Sequence, residues 1–405
     1  MMLSRRSLVK SALLSGAGTV MPAGLKMAFG AATGAPVLVF VLLRGGMDGL
    51  NLLAPSDDSD LHAARPATLY PNNGGTTPGF ALANGPSSND WRLHADAPGL
   101  NALYQAKQLA FIHAAGIPAD SRSHFQMQAF LEHGVVDQIS LNNANGWIAR
   151  YGLATGLGGG SFSLLSSDPT TPPSMSGAPL AVSMPDPKQF NVGSAARTAF
   201  LQAAYQNASG PLGSAGRTAL NTVSSFAKLS AGFAPPPAGT YGTDPLSKSL
   251  SVVAEVIKLN AGLQVAEAEF SAWDTHVNQE PRFASSVTIL SAGLSNFMKD
   301  MNASGQKVTM VVMSEFGRRV KSNASGGTDH GHGNAMMVLS STGALKGGRI
   351  YGQWQGLNPS VLDLGDVPVT TDYRSVLSEV IGKTRSDLPS GLFPGFTATS
   401  TLGLF

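Results

Sequence analysis

Seven consecutive residues, Val37-Leu-Val-Phe-Val-Leu-Leu43, are apolar, and Gly45 and Gly46 follow almost at once. A strand with one wet face would alternate. A run without alternation reads as a strand covered on both faces, the pattern of a parallel sheet held between two helical layers. Residues 109–114 and 308–313 repeat the pattern, and residues 179–184 and 335–339 repeat it more weakly. Helical spacing fills the intervals, over residues 246–270 and 284–301 and, in shorter pieces, 123–133, 195–206 and 373–381. The expected fold class is α/β, a mainly parallel central sheet with helices on both faces.

Two stretches break the rhythm. Residues 153–178 and 208–244 are dense in Gly, Ser, Pro and Thr, and include Pro235, Pro236 and Pro237. Long irregular segments are uncommon inside compact domains. The chain therefore reads as one domain over residues 36–405, with an irregular inserted region at about 153–245. It shows no internal repeat.

The first 35 residues are set apart as a leader. Ser4-Arg-Arg-Ser-Leu-Val-Lys10 matches the twin-arginine export pattern, and a weakly apolar stretch follows it. Small residues at Ala28, Gly30, Ala31, Ala32 and Ala35 offer cleavage sites. The expected partner during export is the twin-arginine translocase, which carries folded proteins, and the expected destination is the periplasm or the outside. Elsewhere the strongest apolar run has seven residues, against about 20 for a spanning helix, so no transmembrane span is expected in the mature protein. The leader's Arg5, Arg6, Lys10 and Lys26 stand without an acid, so its removal takes the formal charge from +2 to about −2. With no Lys/Arg run besides, nucleic-acid binding is not expected.

The chain has no cysteine. Disulfides, thiolate metal sites and cysteine nucleophiles are thereby excluded. A bound metal must be held by His, carboxylate, hydroxyl or amide groups, which points to Zn, Mg, Mn, Ca or Fe. Four polar clusters fall near predicted strand ends, where open α/β sheets bind ligands. The first is Arg44-Gly-Gly-Met-Asp48-Gly-Leu-Asn51, which also reads as a turn capped by Asp48. The second is Asp120-Ser-Arg122-Ser123-His124-Phe-Gln126. Ser123 with Gln126 fits a helix N-cap with its capping box, and a helix N-terminus also receives anions. Arg122 is placed to pair with an anionic substrate. The third is Trp273-Asp274-Thr-His276, whose Asp and His can converge on one ion. The fourth joins Ser314-Glu315-Phe-Gly-Arg-Arg319 to Gly326-Gly-Thr-Asp329-His330-Gly-His332-Gly333. Imidazole and carboxylate on a glycine-flanked backbone are what a hard or borderline metal needs. Each cluster also has a plain structural reading as a hydrogen-bonded loop.

Taken together, and in this order, these motifs resemble an exported bacterial family, domain-of-unknown-function family 1501, grouped with the alkaline phosphatase superfamily. The resemblance runs from Val37 to about Ile381. It implies an alkaline-phosphatase-like fold and one or two divalent metals, zinc first, with Mg, Mn or Ca as alternatives. On that pattern Asp48, Asp274, His276 and His330 resemble metal ligands, and Ser123 resembles the nucleophile. Glu315-Phe316 stands where the superfamily has Asp-His, and Phe316 cannot ligate. Either the second metal has fewer ligands, or His332, Asp329 or His124 substitutes. No Cys/Ser-x-Pro-x-Arg pattern of a formylglycine sulfatase is present. The resemblance implies a metal-dependent hydrolase of a small anionic phosphate or sulfate ester. The alternative is a non-catalytic envelope binding or assembly protein on a degraded hydrolase fold.

Overall fold

The computed structural model describes residues 34–405, apart from 75–76, 157–161, 179, 232–235, 387 and 399. The twin-arginine motif lies outside the described residues. Nine strands form one sheet: β1 (Val37–Leu43), β2 (Leu109–Gly116), β3 (Leu164–Ser166), β4 (Ala181–Ser183), β5 (Val265–Phe270), β6 (Val308–Ser314), β7 (Asn334–Ser340), β8 (Arg349–Tyr351) and β9 (Thr371–Asp372). Their order is β8-β2-β7-β6-β1-β5-β3-β4, and β9 also pairs with β2. β1 and β6 are neighbours and parallel, with Val41 opposite Val312. On its other side β1 pairs in parallel with β5, Val41 opposite Ala268. Among the described strands of this sheet β7 alone runs against the rest, antiparallel to both β6 and β2.

The longer helices are α1 (Pro98–Gln105), α2 (His124–His133), α3 (Trp147–Ala154), α4 (Ala195–Gln206), α5 (Gly210–Ser230), α6 (Pro245–Lys258), α7 (Gln279–Ala303) and α8 (Tyr373–Thr384). Val39, Val41 and Leu43 pack into a core shared with α1, α6 and α7. Leu38, Phe40 and Leu42 pack into a second core shared with α2, α3 and α8. Successive side chains of a strand point to opposite faces, so two helical layers require an apolar residue at every position of β1. Each such side chain contributes roughly 1.5–3 kcal/mol.

Two expectations need correction. The helix predicted over residues 246–270 ends at Lys258, and Val265–Phe270 is instead strand β5 beside β1. Asn260 and Gly262 adopt positive φ, +51° and +81°, and turn the chain back to the sheet. The second correction concerns the Gly/Ser/Pro-rich region. It supplies β3, and its later part contains the 21-residue helix α5, while β4 beside β3 falls within the weak strand pattern read over residues 179–184. Pro211 opens α5, where proline is tolerated, and Phe226 from it meets Phe162 and Phe190 at ring distances of 5.7 and 5.4 Å.

Candidate metal centre

β5, β1 and β6 end side by side, and the segment that follows each carries polar side chains to one edge of the sheet. Asp274 and His276 follow β5, Arg44 and Gly45 follow β1, and Glu315 follows β6. After Glu315 the chain makes a two-stranded ribbon, Arg318–Ser322 with Thr328–His330, which brings His330 back to the same edge. His124 opens α2 after β2.

Four side chains converge there. His276 Nε2 lies 2.9 Å from His330 Nε2 and 3.1 Å from Asp274 Oδ1. His330 Nε2 lies 3.4 Å from Asp274 Oδ1, and His124 Nε2 lies 3.6 Å from Asp274 Oδ2. Ligand atoms on a tetrahedral zinc at about 2.05 Å stand about 3.3 Å apart; one ligand atom from each of His124, Asp274 and His330 lies within 4.8 Å of the others, and His276 borders this group through His330 and Asp274. The far nitrogen of each ring is already engaged. His124 Nδ1 donates to Glu315 Oε1 at 2.7 Å, His276 Nδ1 to Asp329 Oδ1 at 3.0 Å, and His330 Nδ1 to the Arg122 carbonyl at 2.8 Å. Carboxylates and carbonyls only accept, so the hydrogen of each neutral ring sits on Nδ1 and its Nε2 is a lone pair. Three lone pairs and a carboxylate thus face one another, and the buried His124 Nε2 has no hydrogen-bond partner. Such a set could hold a cation between its members. Imidazoles fixed from behind by carboxylate and carbonyl are the usual support of a metal centre.

The support is continuous. Glu315, fully buried, accepts on one oxygen from His124 Nδ1, Gln128 Nε2 and the Gly45 amide. Burial alone would push its carboxyl up, but these hydrogen bonds hold it at about 2. Asp274 is likewise held at about 2, against its burial, by the Arg318 guanidinium on Oδ1 at 2.7 Å. Arg318 is itself buried and also binds the carbonyls of Gly45, Gly46, Trp273 and Thr328, which fastens the β1, β5 and ribbon segments together. The His124–Glu315 hydrogen bond, partly offset by burial, raises the His124 imidazole, whereas burial lowers that of His330. Phe316 packs its ring 4.8 Å from both His124 and His330. It is an apolar floor under two imidazoles.

Gly45 has φ +117°, and a Cβ there would stand 2.7 Å from the Asp274 amide nitrogen. Gly45→Ala is therefore expected to push the Trp273–Asp274 backbone off the ribbon, cost about 1–3 kcal/mol through strain, and weaken metal uptake. Urea denaturation and metal titration of the variant check both parts.

Among the residues nominated from sequence, Asp274, His276 and His330 come together, and Glu315 and Asp329 hold two of the imidazoles from outside. Asp48 does not join them. It is fully buried and its carboxylate is taken by Arg65 at 2.8 Å, Gln279 at 2.7 Å and Thr328 at 3.2 Å. His332 pairs with Asp363 at 2.5 Å and with the Ile117 carbonyl at 3.1 Å, so both its nitrogens are used. Arg122, expected to meet an anionic substrate, is committed to the buried Asp366 at 2.6 Å. Ser123 is exposed at the N-cap position of α2, but the predicted capping box does not form, because Gln126 accepts from Ser121 instead. His124, foreseen only as a substitute ligand, takes a full place. Its signal is the polar stripe His124, Gln128 and Glu132, one helical turn apart on α2.

A family model described as "Protein of unknown function (DUF1501)" matches residues 112–378. No curated protein matches the chain in sequence. Among solved structures, the chain is similar to the crystal structure of Ps i-CgsB in complex with k-i-k-neocarrahexaose, at 11% identity, with 90% of this chain and 75% of that chain covered and a TM-score of 0.41. It is also similar to the crystal structure of the lipoteichoic acid synthase LtaP from Listeria monocytogenes, at 10% identity, with 97% and 80% covered and a TM-score of 0.30.

Proposed function

We propose that this chain, which belongs to the DUF1501 family, is an exported metal-dependent hydrolase acting on a phosphate or sulfate ester. The observation that carries the reading is the convergence of His124, His276, His330 and Asp274 with every Nε2 turned inward. Three imidazoles and one carboxylate are a donor set for zinc. A divalent ion held there supplies Lewis-acid stabilisation of an ester oxygen. The chain's own groups do the rest. Ser123 is the proposed nucleophile, exposed next to His124 in the chain. The free amides in the first turn of α2 receive anionic oxygens. Glu315 and Asp329 fix the ring orientations of His124 and His276, and Phe316 keeps water from beneath the rings.

A second reading, a non-catalytic envelope binding or assembly protein on a degraded hydrolase fold, draws on Asp48 and Phe316. Neither supplies the second metal position that the superfamily resemblance implies. One experiment separates the two: elemental analysis of the mature protein together with assays on phosphomonoester, phosphodiester and sulfate ester substrates. Metal with ester turnover supports the hydrolase, and a protein without turnover, with or without metal after zinc loading, overturns the hydrolase and supports the non-catalytic reading.

The leader belongs to the same proposal. Among the described residues no helix is long and apolar enough to cross a membrane. Changing Arg5 and Arg6 together to Lys is expected to leave uncleaved precursor in the cytoplasm, read by fractionation and immunoblotting. Normal export of that variant removes the twin-arginine assignment.

A further inference from the structure

A second group of acids lies beyond the metal centre. One carboxylate oxygen from each of Glu132, Glu267 and Glu269 lies within 4.8 Å of the others. Glu267 and Glu269 are two apart on β5 and so share a face, and Glu132 comes from the last turn of α2. Arg44 enters from the end of β1, pairing with Glu269 and, at 2.9 Å, with Glu132 Oε1. Its Nη1 donates to Gln128 at 2.7 Å, and Gln128 in turn reaches Glu315. Among the described residues one guanidinium faces three carboxylates, and Asp168, a fourth acid, feels the charge of Glu269.

The observation that points to a ligand is Glu267. It is fully buried; Ser174 donates to its Oε2, while its Oε1 is buried with no partner. An unpaired carboxylate oxygen in the interior, beside two further carboxylates, is costly unless a cation joins it. Burial accordingly pushes Glu267 well up, and Glu132 and Asp168 up to about 7. The donors are all oxygen, three carboxylates and the Ser174 hydroxyl, which suits a hard cation better than zinc. Magnesium demands near-ideal octahedral geometry at about 2.0–2.1 Å, whereas calcium takes 6–8 oxygens, waters among them, in flexible geometry at about 2.3–2.6 Å. Two oxygens on opposite sides of such an ion are then about 4.8 Å apart.

We propose that Glu132, Glu267 and Glu269, with Ser174 and Asp168 beside them, form a calcium site separate from the histidine centre. Arg44 and the ion share the negative charge: the guanidinium holds the outer oxygens and the ion takes the inner ones, Glu267 Oε1 first. The site is set apart from the imidazoles by Gln128, which bonds Arg44 on one side and Glu315, the partner of His124, on the other.

The test uses the mature protein, stripped with chelator and reloaded with zinc, then titrated with Ca²⁺ by calorimetry and followed by thermal melting. Wild type is expected to bind one Ca²⁺ and to melt higher with it. Glu267→Gln is expected to bind at least tenfold more weakly, to lose the calcium-dependent shift, and to keep its zinc. Should that variant fail to fold, Glu132→Gln and Tb³⁺ luminescence on wild type, competed by Ca²⁺, give the same answer. A wild type without calcium uptake or Tb³⁺ signal overturns the proposal and leaves protons to neutralise the cluster. Unchanged calcium affinity in both glutamine variants also overturns it. His330→Ala, which is aimed at zinc alone, is expected to keep the calcium response.

Discussion

His330→Ala is expected to empty the histidine centre while leaving the fold standing. The substitution removes one of three inward nitrogens and leaves His276 Nε2 facing open space where a ligand stood 2.9 Å away. Loss of an outer orienting partner already costs about 10–100-fold in metal affinity. Loss of a ligand should exceed that, and ester hydrolysis should fall to background. Asp329→Asn, which only loosens the hold on His276, is expected within the 10–100-fold band. Both follow from zinc titration with a competing chelator, alongside circular dichroism to confirm folding. His330 is partly exposed on the ribbon and outside both helical cores, so the unfolding midpoint should move little. A variant that retains its full metal complement removes His330 from the ligand set.

The largest stability effect is expected at Arg65. Its side chain is fully buried against Asp48, and it also binds the carbonyls of Leu69, Arg319 and Val320. Breaking a buried pair from one side leaves a charge without its partner, at a cost of about 3–5 kcal/mol. Arg65→Met should therefore lower the free energy of unfolding by that amount in urea. Asp48→Asn in the same background should restore part of the loss, because no unpaired charge then remains. A loss under about 1 kcal/mol for Arg65→Met, or no recovery in the double variant, would show that the pair is not what holds this region.

That pair also explains where sequence reasoning went astray. Asp48 follows the first strand, where a metal carboxylate belongs by resemblance, and nothing local distinguishes it from one. Its partners are Arg65, Gln279 and Thr328, two of them more than 200 positions away. No spacing rule reveals that. The central strands were legible because burial on both faces writes itself into every residue of Val37–Leu43 and Val308–Ser314. Strand β5 was not. Val265-Ala-Glu-Ala-Glu-Phe270 is rich in helix formers, and its alternation puts glutamate, normally a surface residue, toward the interior. The acids that disguise it as helix are the ones gathered around Arg44. His330 was found because imidazole and carboxylate beside glycine are rare enough to stand out, and Asp274 with His276 because an Asp and a His one residue apart can converge on one ion. His124 was harder to see, since its meaning lies in Gln128 and Glu132 further along the same helix.

The direction of β7 has a consequence for how this protein can change. In an all-parallel sheet, a chain leaving β6 must cross the molecule before it can re-enter. Here it leaves at one rim and returns at the same rim, antiparallel, as β7. Residues 315–333 are thus a closed excursion with both ends clamped between neighbouring strands. Glu315, Phe316, Arg318, Asp329 and His330 all lie on it. The excursion is also held from outside, by Arg65 at the Arg319 and Val320 carbonyls and by Arg318 at Gly45, Gly46 and Trp273, so its chemistry can change at exposed side chains such as Asp329 while β6 and β7 keep their register. Lineages that share this sheet would then be free to diverge in what they act on without having to relearn how to fold.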